Sequence, residues 1–144
     1  GHLEDYSMMA KKLATRTQYV CASPRYIATF GIPHSLSELD QHNCLLGTID
    51  YWQFQENGKT RNIRVKGNLS CNSGHALVDA ALKGIGIIQL PDDYIIPYLA
   101  DGQLVPLLEN NRQPDAGIWA LYPHNRHLSP KVRMLLDYLS EALT

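Results

Sequence analysis

Strands alternating with helices along 144 residues predict an α/β fold, a sheet flanked by helices through crossover connections, with a strand and a helix at the C-terminus. Three observations carry this: 44% of the residues are apolar, enough for a core; short β-prone runs are each followed by a helix-start signal; and one alternating stretch is split by Asn57-Gly58, a hairpin signal.

Taken in order, residues 1–16 read as a polar lead-in, and Gln18 to Ala22 as a β-prone apolar run. Ser23-Pro24 then opens a helix carrying Tyr26, Ile27 and Phe30, which stops at Gly31 before Pro33. A second short helix fits residues 35–40, with Ser35 as cap and Glu38 completing a capping box. Residues 43–46 are strand-like. Tyr51, Trp52 and Phe54 precede the Asn57-Gly58 turn, and Ile63 and Val65 follow it. Residues 68–71 extend as a strand that ends at Asn72-Ser73-Gly74, side chains suited to a helix N-cap. The next helix places Ala76, Leu77, Ala80 and Ala81 on one face and ends at Gly84, before a buried-type strand over 86–90. Pro91 opens a helix through Tyr94, Ile95 and Leu99, and 104–108 is a short strand. Residues 110–117 are a polar crossover, 118–122 a strand, and Ser129-Pro130 caps a last helix with Val132, Leu135, Leu136 and Leu139 on one stripe.

Charge and composition narrow the function. A net charge of -1 offers no field of clustered Lys and Arg for duplex phosphates, so nucleic acid is not the direct partner of this chain. Cys21, Cys44 and Cys71 are odd in number and lack a CxxC pair, which predicts reduced, buried thiols in a cytoplasmic setting. No apolar run is long enough for a membrane span, and no signal pattern opens the chain. Gly1-His2-Leu3 in place of an initiating Met reads as an excised piece.

Several stretches together resemble one family. They are Cys21-Ala22-Ser23-Pro24-Arg25-Tyr26 with Gly31 and Pro33, Leu39-Asp40-Gln41-His42-Asn43-Cys44-Leu45, and Ala80-Ala81-Leu82-Lys83-Gly84-Ile85-Gly86-Ile87 closed by Leu90-Pro91. In the tail they are Tyr122-Pro123, Leu128-Ser129-Pro130-Lys131-Val132-Arg133 and Leu136-Asp137-Tyr138-Leu139. Their order and spacing resemble the effector-binding domain of LysR-type transcriptional regulators, a periplasmic-binding-protein-like fold of two α/β lobes with mixed sheets. The resemblance implies that 1–16 leads in from a first lobe, 17–115 is the second lobe, and 116–144 is the return strand and C-terminal helix of the first. It also implies a small-molecule effector in the inter-lobe cleft, self-association of the full regulator, and DNA contact only through an absent winged helix-turn-helix domain. The last helix, short of its family neighbours, is expected to cover its stripe otherwise, for instance with a second copy.

Among candidate site residues, Ser70, Cys71, Asn72 and Ser73 stand where a strand meets a helix start, whose outward N–H groups and dipole suit a carboxylate or phosphate. Asn72 or Ser73 equally serves as a plain cap. Thr48, Ile49 and Asp50 follow Gly47 after a strand, where α/β folds place ligands, and an ordinary loop is the competing reading. His124 and His127 lack an evident third ligand, so no metal is expected. Nothing basic flanks Cys44 or Cys71 to make a redox thiol. Ser23, Ser70 and Ser73 lack nucleophile-elbow glycines, and Gly84-Ile85-Gly86 follows a helix instead of preceding one, so it is no phosphate loop. Tyr51, Trp52 and Phe54 read as core or interface before a stacking platform. No enzyme and no cofactor are expected; the rival readings are a solute-binding protein of a transporter and an oligomerisation module.

Overall fold

The computed structural model describes residues 8–114, 116–123 and 130–143. The chain divides into two compact units, Thr17–Pro114 and Gly1–Arg16 with Asp115–Thr144.

In the larger unit, β2 (Gln18–Ala22) lies between β5 (Ile88–Pro91) and β6 (Val105–Leu107), antiparallel to both. Gln18 pairs with Pro91 and Cys21 with Ile88 on one side; Val20 pairs with Leu107 and Ala22 with Val105 on the other. The sheet continues past β5 in the parallel sense, through single bridges from Cys44 to Ile87 and from Leu46 to Ser70. It is therefore a mixed sheet. The strands expected over 43–46 and 68–71 contract to these bridges, each segment pairing with its neighbour at a single position. Leu45 N–H reaches Ile87 O at 2.8 Å and Ile87 N–H reaches Asn43 O at 2.9 Å, while Leu46 N–H reaches Leu69 O at 3.0 Å on the other edge.

Side chains alternate across a strand, and here the alternation divides the core in two. Val20, Ala22, Cys44 and Ile87 face one cluster, under α1 (Pro24–Phe30), a 3-10 turn (Leu36–Gln41) and the hairpin of β3 (Tyr51–Glu56) and β4 (Lys59–Arg64). Cys21, Leu45 and Ile88 face the other, under α2 (Gly74–Leu82) and α3 (Asp92–Ala100). Trp52 and Phe54 are buried in the first cluster, so they are core and not a platform.

Local signals account for most of the boundaries. Ser23 Oγ accepts the Tyr26 N–H at 3.1 Å to start α1. Asn57 and Gly58, with φ of 54° and 78°, supply the paired positive values of a type I′ hairpin turn. The capping box at Ser35 does not form. Ser35 makes no side-chain cap bond and its Oγ pairs with Ser37 Oγ at 3.0 Å, while the Glu38 carboxylate accepts the N–H of His34. The Glu38 N–H that the Ser35 hydroxyl would accept goes instead to the Ser35 carbonyl at 3.1 Å, the i to i+3 bond of a 3-10 turn.

In the smaller unit, residues expected as a lead-in form β1 (Met8–Arg16), antiparallel to β7 (Ala116–Pro123) from Met8 opposite Pro123 to Arg16 opposite Ala116. The register shifts between Lys12 and Ala14. Lys11 and Lys12 interrupt the apolar alternation by which a strand is recognised, and the ladder is supplied by a segment distant in sequence. α4 (Pro130–Leu143) follows; its expected cap Ser129 and the pair His124 and His127 lie outside the described residues, as do the side chains of Val132 and Leu136.

A Cβ on Gly86 would stand 2.5 Å from Asn43 O, whereas one on Gly47 would find only Cys71 O, at 4.0 Å. Gly86→Ala is expected to lower unfolding free energy by about 1–3 kcal/mol, and Gly47→Ala by much less, read as midpoint shifts at constant slope in urea titrations.

Candidate functional site

The Leu46 to Ser70 bridge sets the site. Cys71 N–H donates to Leu46 O at 2.8 Å, so the chain leaves the sheet at neighbouring points on both segments. Residues 47–50 and 70–73, picked out separately in the sequence, thus emerge side by side, and the Ser70 hydroxyl joins them by donating to Gly47 O at 3.3 Å.

The predicted residues differ in what remains free for a ligand. Ser73 is spent locally: its Oγ accepts the Ala76 N–H at 3.3 Å and its carbonyl the Leu77 N–H at 3.1 Å, the plain capping role. Cys71 is half-buried against the second core cluster and its Sγ accepts the Ser73 N–H at 3.4 Å, so it shapes the turn. Thr48, Asn72 and Ser70 are exposed, and Ile49 keeps 56% of its surface. Asp50 is held at both ends, its carbonyl by the Val65 N–H at 3.0 Å and its carboxylate by Arg64 Nε at 3.5 Å. Both members of that ion pair are exposed, so it orients more than it stabilises. The first-turn N–H groups of α2 ahead of Ala76 have no intrahelical acceptor.

Sequence reading missed how the start of α2 is fixed. Gly74 lies so close to Tyr94 of α3 that a Cβ would stand 2.5 Å from the ring, and the rings of His75 and Tyr94 lie 5.0 Å apart. A glycine after a cap residue carries no linear sign of a ring twenty residues on.

Behind the site, Asn43 ties both neighbours of residues 43–46: Nδ2 donates to Ile85 O at 2.8 Å and to Asn68 Oδ1 at 2.9 Å, and Oδ1 accepts the Asn68 N–H at 2.8 Å. Its own N–H donates to Tyr26 Oη at 3.3 Å, which leaves the Tyr26 proton for His42 Nδ1 at 2.7 Å. Burial lowers the pKa of His42, against a smaller opposing pull from Glu38, and burial raises that of Tyr26. Burial also pushes the thiols of Cys21 and Cys44 up to about 12. Both are thereby held as unreactive thiols. Among the described residues there is no cluster of three or more His, Cys, Asp or Glu that could hold a metal ion, and no helix is long and apolar enough to cross a membrane.

The LysR substrate binding domain family matches residues 1–144. The chain belongs to that family. It is 32% identical over 143 residues to the HTH-type transcriptional activator TtdR of Escherichia coli K12, covering 96% of this chain and 46% of TtdR. It is 32% identical over 149 residues to the HTH-type transcriptional regulator PtxR of Pseudomonas aeruginosa, covering 99% of this chain and 47% of PtxR. The LysR-type domain thus spans about half the length of the curated relatives it matches. Its fold is similar to the regulatory domain of CrgA from Neisseria meningitidis, with a TM-score of 0.74 and 29% identity over 95% of this chain and 70% of that one. The regulatory domain of AphB from Vibrio vulnificus gives 0.76 and 30% identity, over 94% and 69%. The architecture is the periplasmic-binding-protein-like one, and the relatives are transcriptional regulators, which sets the enzyme and transporter readings aside.

Two measurements probe this electrostatic interior of the LysR-type domain. In native thiol titration, Cys71 is expected to react first, with Cys21 and Cys44 labelled only after denaturant is added. For His42, the unfolded chain takes up the proton at its ordinary 6.5, above the folded value. Stability is then full above that pH and falls as the pH drops through the window below it. Urea unfolding from about pH 8 to about pH 5 should show this decline, the range in which histidine changes charge, and His42→Gln should flatten it.

Proposed function

We propose that this domain senses a small metabolite for a LysR-type transcriptional regulator, whose DNA contact is made by a winged helix-turn-helix domain outside the present chain. In this reading Thr17–Pro114 is the second lobe, and β1, β7 and α4 belong to the first. The observation that carries it is the Leu46 to Ser70 bridge, which sets two loops at the carboxyl ends of neighbouring parallel segments, where open α/β sheets bind ligands. Thr48, Ile49, Asp50, Ser70, Cys71, Asn72 and Ser73 form this wall. Thr48 and Asn72 supply side-chain contacts, the start of α2 supplies N–H donors for an anionic group, and Cys71 and Ser73 hold the turn in shape.

The metabolite acts by binding one arrangement of the regulator better than another, and the shift it can cause is limited by that difference, about 1–3 kcal/mol in typical allosteric proteins. The regulator works in the cytoplasm and self-associates. On α4, Met134, Leu135 and Tyr138 are 71%, 56% and 67% exposed, apolar surface that the rest of the first lobe or another chain is left to cover.

Titration calorimetry of the complete two-lobe domain against candidate metabolites tests the reading. A saturable binder is expected, weakened about ten- to a hundredfold by Asn72→Ala if its side chain bonds a charged group, worth about 1.5–3 kcal/mol. Ser73→Ala should instead lower stability by about 1 kcal/mol. A regulator with no saturable binder and an unchanged promoter response in vivo would defeat the proposal.

A further inference from the structure

We infer that Gln18, Gln53 and Gln89 form a second subsite beside the 47–50 loop, which takes an uncharged hydroxyl- or amide-bearing part of the effector. The inference rests on the effector-sensing reading and names the chemistry that this part of the wall selects.

A cleft of about 220 Å³ lies within the larger unit, lined by Gln18 at the start of β2, Ile49, Tyr51 and Gln53 of β3, and Gln89 of β5. Ile49 links it to the loop already described. Tyr51 and Gln53 are two apart, so they share the exposed face of β3 while Trp52 and Phe54 turn to the core. Gln89 is fixed by its neighbour's backbone: Nε2 donates to Gln53 O at 3.0 Å and Oε1 accepts the Gln53 N–H at 3.3 Å. A carboxamide has two donor protons and two acceptor lone pairs, so one of each remains on Gln89 in a preset orientation. Binding to it costs little side-chain entropy. Gln18 and Gln53 add two more carboxamides, and Ile49 and the Tyr51 ring add apolar edges.

Charge decides the ligand class. Among the described residues, no Lys, Arg, His, Asp or Glu lines the cleft. A carboxylate or ammonium entering it would lose hydration without meeting an opposite charge, whereas hydroxyl and amide groups find matching donors and acceptors. A cleft of this volume has room for a small polar fragment.

The test is NMR titration of the ¹⁵N-labelled chain with acetamide, glycerol and acetate as separate probes. Gln18→Ala and Gln53→Ala serve to assign the side-chain NH₂ signals. Acetamide and glycerol are expected to shift the Gln18 and Gln53 NH₂ signals saturably, and Gln53→Ala to weaken acetamide binding at Gln18 about fivefold, the loss of one neutral hydrogen bond. Glutamine signals that stay still, or that acetate moves as strongly as acetamide, overturn the inference. Acetate shifts in the backbone signals of residues 72–75 report separately on the effector-sensing reading: if these respond and the glutamines do not, the subsite alone fails. If the glutamines respond and 72–75 do not, the anion contact at α2 fails while the subsite stands.

Discussion

Residues 43–46 hydrogen-bond on both sides at once, and the arrangement of the larger unit depends on that sharing. Leu45 and Asn43 exchange bonds with Ile87 along one edge, and Cys44 and Leu46 use Lys66, Leu69 and Cys71 along the other. The Asn43 side chain repeats the link to both neighbours, at Ile85 and at Asn68. Such close approach needs backbone without side chains, and Gly67 and Gly86 are the residues placed against Cys44 and Asn43. Because the segment is parallel to both neighbours, its carboxyl end and that of 68–71 open on the same side, and the two loops of the candidate site are a consequence.

The same segment divides the core. Cys44 and Leu45 point to opposite faces, and each finds its own cluster, one under the hairpin and the other under α2 and α3. A small sheet covered on both faces presents little but its strand ends and edges to solvent, which leaves those places for ligand contact. Within the site this separates two kinds of residue. Ser73, Cys71 and Gly74 are committed to holding the start of α2, while Thr48, Ser70 and Asn72 stand outward. Burial likewise keeps Cys21 and Cys44 as packing groups, their thiols too reluctant to ionise for redox chemistry.

The reach of the sequence follows the range of the interactions involved. Ser23-Pro24, Asn57-Gly58, Ser73 and Gly84 act over one to four residues, so α1, the hairpin turn and both ends of α2 are legible from the chain alone. The order of family-like stretches from Cys21 to Leu139 is also a linear property, and it led to the family that the comparisons bear out. At Ser35 the local signal misled, since Ser35-Leu36-Ser37-Glu38 matches a capping box but the Ser35 carbonyl, not its hydroxyl, takes the Glu38 N–H. β1 was hidden for the opposite reason: Lys11 and Lys12 mask a strand whose bonding partners lie in β7.

Fold class, most element boundaries and the two candidate loops were therefore set by the sequence itself, through dihedral preferences, caps and side-chain periodicity that operate between near neighbours. Only tertiary structure decided that residues 47–50 and 70–73 stand together, that Ser73 is consumed as a cap, and that Gln18, Gln53 and Gln89 meet at one cleft. These residues come from different strands and loops, and what joins them is the hydrogen-bond register between segments, a quantity no single segment contains.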